Sequence, residues 1–218
     1  MTTPKLRILL ADDHNVLREG LKALLEQEED LEVVAEAPDG RTACRLAREL
    51  KPDVVVMDVG MPDMNGVEAA RRIREELPST KILCLSVHRE PSIVHAMLEA
   101  GAGGYILKTS AARELVQAVR VVSREETYLS PPIASLVVAR HVTGKEQGAG
   151  GAFQDLTPRE REVLQLIAEG HHTKRVAVKL GISPKTVLAH REKIMKKLGM
   201  DSVAGLVRYA LQEGVSEL

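Results

Sequence analysis

Short, wholly apolar runs alternate with amphipathic stretches along the first 125 residues. The runs are Leu6–Ala11, Leu31–Ala35, Val54–Met57, Ile82–Leu85 and Tyr105–Leu107. Their starts lie about 25 residues apart, room for one strand and one helix each time. Valine, isoleucine and leucine follow one another without a polar face, so these strands are expected to be buried on both sides. That predicts a parallel sheet covered by helices. Five βα units predict an α/β fold, a doubly wound five-stranded parallel sheet of the flavodoxin-like kind.

The helices carry start and stop signals. Asp39 is placed to cap a helix running to Leu50, with Pro52 behind it. Ser110 is read as the cap of a helix from Ala111, in which Leu115, Ala118, Val119 and Val122 recur at helical spacing. A connecting helix is expected over Ser130–His141, and Thr143–Gly151 (TGKEQGAGG) reads as a linker with almost nothing to bury. After it, Thr157 and Glu160 are spaced as a capping box, with Pro158 at the first helical position. Three more helical stretches follow: Thr173–Leu180, Ser183–Leu198 and Ser202–Gln212. The first two are joined by a tight glycine turn at Gly181-Ile182-Ser183, a helix-turn-helix spacing. The expected organisation is therefore residues 1–127 as an α/β unit, 128–153 as a linker with a short helix, and 154–218 as a small all-α four-helix domain.

Charge sharpens the division. The chain of 218 residues has a formal net charge of −1, which conceals an asymmetry. Residues 1–127 hold 17 basic and 22 acidic side chains, whereas residues 154–218 hold 11 and 8. An acidic front and a basic back suit a cation-handling unit joined to a polyanion binder. No apolar run approaches the roughly 20 residues a membrane-spanning helix needs, and no signal-peptide core precedes Asp12-Asp13. Cys44 and Cys84 fall on apolar faces and form neither a disulfide scaffold nor a zinc site. A cytoplasmic protein without a membrane partner is expected.

Ligands of open parallel sheets bind beyond the carboxyl ends of the strands. That rule gathers Asp12-Asp13 after the first strand, Asp58 after the third, Ser86 at the end of the fourth and Lys108 after the fifth. Taken singly, each has a plain explanation: Asp12 and Asp13 favour a helix start, Asp58 caps a turn before Met61-Pro62, Ser86 ends a strand, and Lys108 is solvated. Together they put three carboxylates in one crevice, where mutual repulsion calls for a hard divalent ion, most naturally Mg2+. One carboxylate can then attack phosphorus, with the lysine charge and the serine hydroxyl facing the phosphoryl oxygens.

Asp12-Asp13, Asp58 with Met61-Pro62-Asp63-Met64-Asn65-Gly66, Ser86, and Gly104-Tyr105-Ile106-Leu107-Lys108 resemble the receiver domain of two-component response regulators, over about residues 5–125. The resemblance implies that Asp58 is the phospho-acceptor. It also implies that Asp13 and Asp58 bind Mg2+, Asp12 assists through water, and the Gly60 carbonyl adds a ligand. Ser86 and Tyr105 would be a switch pair that reshapes the face at about residues 90–123. Gly60 stands where the family carries a larger side chain and His88 lies two residues after Ser86, so an altered rate of phosphate loss is expected.

The second domain resembles the LuxR-type helix-turn-helix of the NarL/FixJ class. The residues that carry this are Leu156 through Leu164, Ile167–Gly170, Ile182–Val187, His190-Arg191 and Ile194–Leu198. Ser183–Leu198 is the implied recognition helix, with Val187, Ile194 and Leu198 turned inward. Leu188, Ala189 and Glu192 are the base-edge candidates, and Lys185 and Thr186 are further DNA-binding residues of this helix. Leu188 and Ala189 suit a thymine methyl, and Glu192 either accepts from cytosine or is a solvated charge. Arg191, Lys193 and Lys196 reach for phosphates, as does the helix start at Ser183. Lys174 and Arg175 stand where the family has other residues. Arg175 either contacts phosphate or replaces an internal ion pair. His171-His172 makes no metal site without further ligands nearby and reads as a polar turn.

The resulting expectation is a transcription factor rather than a turnover enzyme. A histidine kinase would phosphorylate Asp58, a homodimer would form, and the dimer would bind double-stranded promoter DNA at two half-sites, with RNA polymerase as a further possible partner. An aspartyl-phosphate phosphatase is the enzyme alternative, but its acid/base Asp two residues after the nucleophile is Gly60 here. A regulator that only dimerises, without phosphate, is the third reading.

Overall fold

The computed structural model describes residues 4–142, 153 and 155–215, so the expected Thr143–Gly151 linker lies outside the described residues. The chain runs β1 (Leu6–Ala11), α1 (Asn15–Glu26), β2 (Leu31–Ala37), α2 (Gly40–Leu50), β3 (Val54–Met57), α3 (Gly66–Glu76), β4 (Lys81–Ser86), α4 (Pro91–Glu99), β5 (Gly104–Leu107) and α5 (Ala111–Ser123). Then come β6 (Tyr128–Leu129), α6 (Pro131–Val142), α7 (Pro158–Ala168), α8 (Thr173–Leu180), α9 (Pro184–Leu198) and α10 (Val203–Gln212). The sheet is parallel throughout, in the order β2-β1-β3-β4-β5-β6.

Successive strand residues enter opposite cores, which is why the runs lack a polar face. Leu9, Val55 and Ile82 pack beneath α2, α3 and α4. Ile8, Leu10, Val54, Val56, Leu83 and Ile106 pack against α1 and α5. Each such side chain contributes on the order of 1.5–3 kcal/mol relative to exposure. A third core, centred on Val163, Leu166, Val176, Ile194 and Leu206, belongs to the C-terminal helices.

Two expectations are corrected. The sheet has a sixth strand: Tyr128 and Leu129 pair with Gly104 and Tyr105, so β5 is not the edge. Ser110 occupies the helix-start position but does not cap with its side chain, because its hydroxyl instead donates to the Leu107 carbonyl at 3.1 Å within a short 3-10 turn. The other caps form as read. Asp39 accepts from the Thr42 N–H at 2.8 Å, and Thr157 and Glu160 close the capping box. Ser183 caps α9, which therefore begins at Pro184, and Gly181 takes the left-handed conformation (φ 63°) that ends α8.

The two domains dock through α7 and the C-terminal turn, which meet the β3–α3 loop and the faces of α2, α3 and α4. Glu162, 2% exposed, accepts from Arg41 at 2.7 Å and Arg159 at 2.9 Å, and pairs with Arg72. Lys179 pairs with Asp63, whose backbone N–H donates to Glu169 Oε1 at 2.9 Å. Gly214 lies against Ile93 so closely that any Cβ would overlap it.

Candidate functional site

Parallel register carries the acidic residues to one end of the sheet. Ala11 pairs with Met57, and the Asp58 N–H donates to the Ala11 carbonyl at 2.8 Å. Asp12 follows the same pattern toward Ala37 at 3.1 Å. Both carboxylates are buried, Asp12 at 2% and Asp58 at 3% exposure. Gly66 allows the β3–α3 loop to fold back here, because a Cβ at that position would overlap the Asp58 carbonyl oxygen.

Lys108 lies between the two carboxylates, its Nζ 2.8 Å from Asp12 Oδ2 and 2.7 Å from Asp58 Oδ2. Burial alone would lower its proton affinity, but Asp58 and Asp12 outweigh that and its pKa is raised. One lysine against three carboxylates leaves negative charge in excess. Asp13 Oδ1 is buried and accepts no hydrogen bond. Oxygen donors from Asp12, Asp13 and Asp58 lie within 4.8 Å of one another, together with a ring nitrogen of His14. Such a set fits a hard divalent cation.

Ser86, fully buried, accepts from the His88 N–H at 3.1 Å, while Tyr105, also fully buried, donates its hydroxyl to the His88 carbonyl at 3.0 Å. The expected pair is therefore joined through one residue's backbone. Burial pushes the Tyr105 phenol well above its ordinary range. The Tyr105 backbone also holds the connecting segment: its carbonyl accepts from the Ser130 N–H at 3.0 Å. Cys44 and Cys84 are buried, and burial raises both thiols, Cys44 to about 11, so both are unreactive at neutral pH.

In the C-terminal domain Val187 and Ile194 are buried and Leu198 packs beside them. The outer face of α9 presents Lys185, Thr186, Leu188, Ala189, Glu192, Lys193 and Lys196 to solvent, with Arg191 partly covered. Docking leaves this face open. The Thr186 N–H is taken by the Ser183 hydroxyl at 3.1 Å. Lys174 and Arg175 are exposed on α8, and Arg175 makes no ion pair among the described residues. The fold does bring Asp63 to Glu169 and His171, which lie two residues apart in the sequence. However, the Lys179 ammonium already neutralises Asp63, and the turn reading of His172 stands because its Nδ1 caps α8.

The interdomain contacts of Glu162, Gln165 and Glu169 have no sequence signal: Glu162 and Gln165 of α7 are 2% exposed, Glu169 just after it is 14% exposed at its side chain, and all three bind residues of the first domain.

The chain matches the response regulator receiver domain family over residues 8–120 and the luxR family of bacterial regulatory proteins over residues 154–210. It is 38% identical over 212 residues to the transcriptional regulatory protein MctR of Rhizobium johnstonii, covering 97% of this chain and 96% of that one. It is 41% identical to the oxygen regulatory protein NreC of Staphylococcus epidermidis, covering 97% and 100%. Among solved structures, a LuxR family two-component response regulator from Aurantimonas superimposes with a TM-score of 0.61 at 40% identity, over 63% of this chain and 99% of that chain. RcsB bound to DNA superimposes with a TM-score of 0.60 at 27% identity, over 96% and 98%. With both domains matched in order and relatives aligned end to end, the chain belongs to the LuxR-type family of two-component response regulators, transcription regulators that join a receiver to a helix-turn-helix domain.

Proposed function

We propose that a histidine kinase phosphorylates Asp58 in the presence of Mg2+, and that the phosphoryl group controls dimerisation and sequence-specific binding to promoter DNA. The convergence of Asp12, Asp13 and Asp58 around Lys108 carries this reading. A carboxylate oxygen of Asp58 attacks phosphorus as the phosphorus–nitrogen bond to the donor imidazole breaks. Asp13, Asp58 and the Gly60 carbonyl would hold the ion directly, and Asp12 would act through water. The ion supplies charge neutralisation. Lys108 and the Ser86 hydroxyl hold phosphoryl oxygens, and Tyr105 reports the change to the α4–β5–α5 face. Gly60 bears no side chain over the acceptor, so Gly60→Arg alters the rate of phosphate loss.

The exposed face of α9 enters the major groove, with Leu188, Ala189, Lys185, Thr186 and Glu192 toward base edges. Lys174, Arg175, Arg191, Lys193, Lys196 and the start of α9 at Ser183 face phosphates. A modest charge excess makes a single site weak, so two half-sites and a homodimer are needed. RcsB, a relative at 28% identity, has been solved as dimers bound to DNA. RNA polymerase at the promoter is the downstream partner, and the cytoplasm the compartment. No helix among the described residues is long and apolar enough to cross a membrane.

The test is the intact mass after incubation with acetyl phosphate and Mg2+, beside Asp58→Asn. One phosphate on the wild type and none on the variant is the expected result. A wild type that takes none, and whose dimerisation is unmoved by beryllofluoride, would overturn the reading.

A further inference from the structure

We infer that His14 is a nitrogen donor of the acidic pocket, which gives the site a preference for first-row transition ions such as Co2+ over Mg2+. This rests on the reading that Asp12, Asp13 and Asp58 hold a divalent ion. His14 occupies the cap position of α1, yet its side chain makes no capping hydrogen bond. The ring turns back to the carboxylates instead. Nδ1 lies 2.7 Å from Asp13 Oδ1 and 3.3 Å from Asp12 Oδ1, while the His14 backbone N–H donates to Asp12 Oδ1 at 2.8 Å and fixes the turn.

Asp13 Oδ1, like Asp12 Oδ2, is buried and meets its charged neighbour outside hydrogen-bond geometry. An imidazole nitrogen and a carboxylate oxygen this close share either a proton or a metal ion. Donors about 2.1 Å from one octahedral ion stand about 3 Å apart at adjacent positions, close to the spacing between His14 Nδ1 and Asp13 Oδ1. His14 is 60% exposed at its side chain, so the ring can follow an ion without disturbing the core. Lys108 approaches from the Oδ2 atoms of Asp12 and Asp58, leaving the Oδ1 side of Asp12 to His14.

The chemical consequence is selectivity. Mg2+ favours oxygen and sheds water reluctantly, so an imidazole adds little to its binding. Later first-row ions gain from nitrogen. An oxygen-only pocket would lack that gain.

The test is calorimetric titration of the full chain and of His14→Ala with Mg2+ and with Co2+, alongside pulsed electron paramagnetic resonance at one equivalent of Mn2+. His14→Ala is expected to weaken Co2+ about ten-fold while Mg2+ stays within about two-fold, the size of loss typical of one ligand-shell contact. The wild-type Mn2+ signal should carry imidazole nitrogen coupling that the variant loses. Equal weakening of both ions would mean that His14 only braces Asp13, and would overturn the inference, as would Mn2+ without nitrogen coupling. If neither ion binds the wild type, or if Asp13→Asn leaves both affinities unchanged, the acidic-pocket reading itself falls and the inference goes with it.

Discussion

Gln165 of α7 grips the β3–α3 loop from both directions. Its Oε1 accepts from the Asn65 N–H at 2.8 Å, and its Nε2 donates to the Met61 carbonyl at 2.9 Å. The loop leaves the sheet at Asp58, so a side chain of the DNA-binding domain reads the backbone that emerges from the acidic pocket. Gln165 is 2% exposed, and removing its amide strands two backbone groups, each costing about 1–3 kcal/mol if left buried and unpaired. Gln165→Leu is therefore expected to open the docked arrangement. Hydrogen exchange reads it at the Asn65 amide, which should lose protection. Unchanged protection there would show that the remaining contacts, Glu162 above all, hold the domains alone.

Docking leaves the outer face of α9 exposed, so contacts on that face separate into two kinds. Lys193→Ala is expected to weaken binding to every duplex alike and to reduce the slope of log affinity against log salt by about 0.9, one phosphate contact's share. Leu188→Ala should weaken a selected duplex, by about 1 kcal/mol or more, and leave a scrambled one unchanged. Fluorescence anisotropy over a salt series separates the two. A sequence-independent loss for Leu188→Ala would remove it from the base-reading set.

The strands were legible because double-sided burial is written locally: Val54-Val55-Val56-Met57 has no polar face to offer solvent, and all four residues are buried. The acidic residues were legible for the same reason, since each directly follows such a run. β6 was not, because Tyr128 and Leu129 are only two residues between Glu125-Glu126-Thr127 and Ser130-Pro131. Their pairing is dictated by the exposed edge of β5, not by their own pattern. Ser110 has the right residue type for a cap, but the preceding 3-10 turn draws its hydroxyl to Leu107. Gln165 and Glu162 meet partners from about 90 to 121 positions away, a separation that leaves no periodic trace.

Glu213 gives the domain seam a pH dependence. Burial alone raises its pKa above the ordinary 4.5. A carboxyl whose folded pKa is raised costs stability when ionised, and the cost is relieved as pH falls through the folded value toward 4.5. Glu213→Gln is accordingly expected to unfold at a higher temperature than the wild type at pH 7, by at most a few degrees. The gap should narrow between pH 7 and about 4.5 and then stay closed. Thermal unfolding at a series of pH values reads this, and a gap independent of pH would refute it.

Lys108 places one ammonium against both Asp12 and Asp58, and it is only 10% exposed. Its raised pKa means its stabilising charge is fully present below 10.5 and is lost only as pH rises through the folded value. Across the neutral range Lys108→Met leaves the carboxylates to repel one another, a loss on the order of 3 kcal/mol for a pair broken in a buried setting. The same substitution removes the cation that competes with a divalent ion for these oxygens. Mg2+ should therefore bind the variant several-fold more tightly and restore much of the lost stability. Melting temperatures with chelator and with saturating Mg2+ make the comparison: the increment produced by Mg2+ is expected to be larger for Lys108→Met than for the wild type. Equal increments would mean that the lysine and the ion occupy separate territory, and that the charge of Lys108 acts only on the phosphoryl side of Asp58.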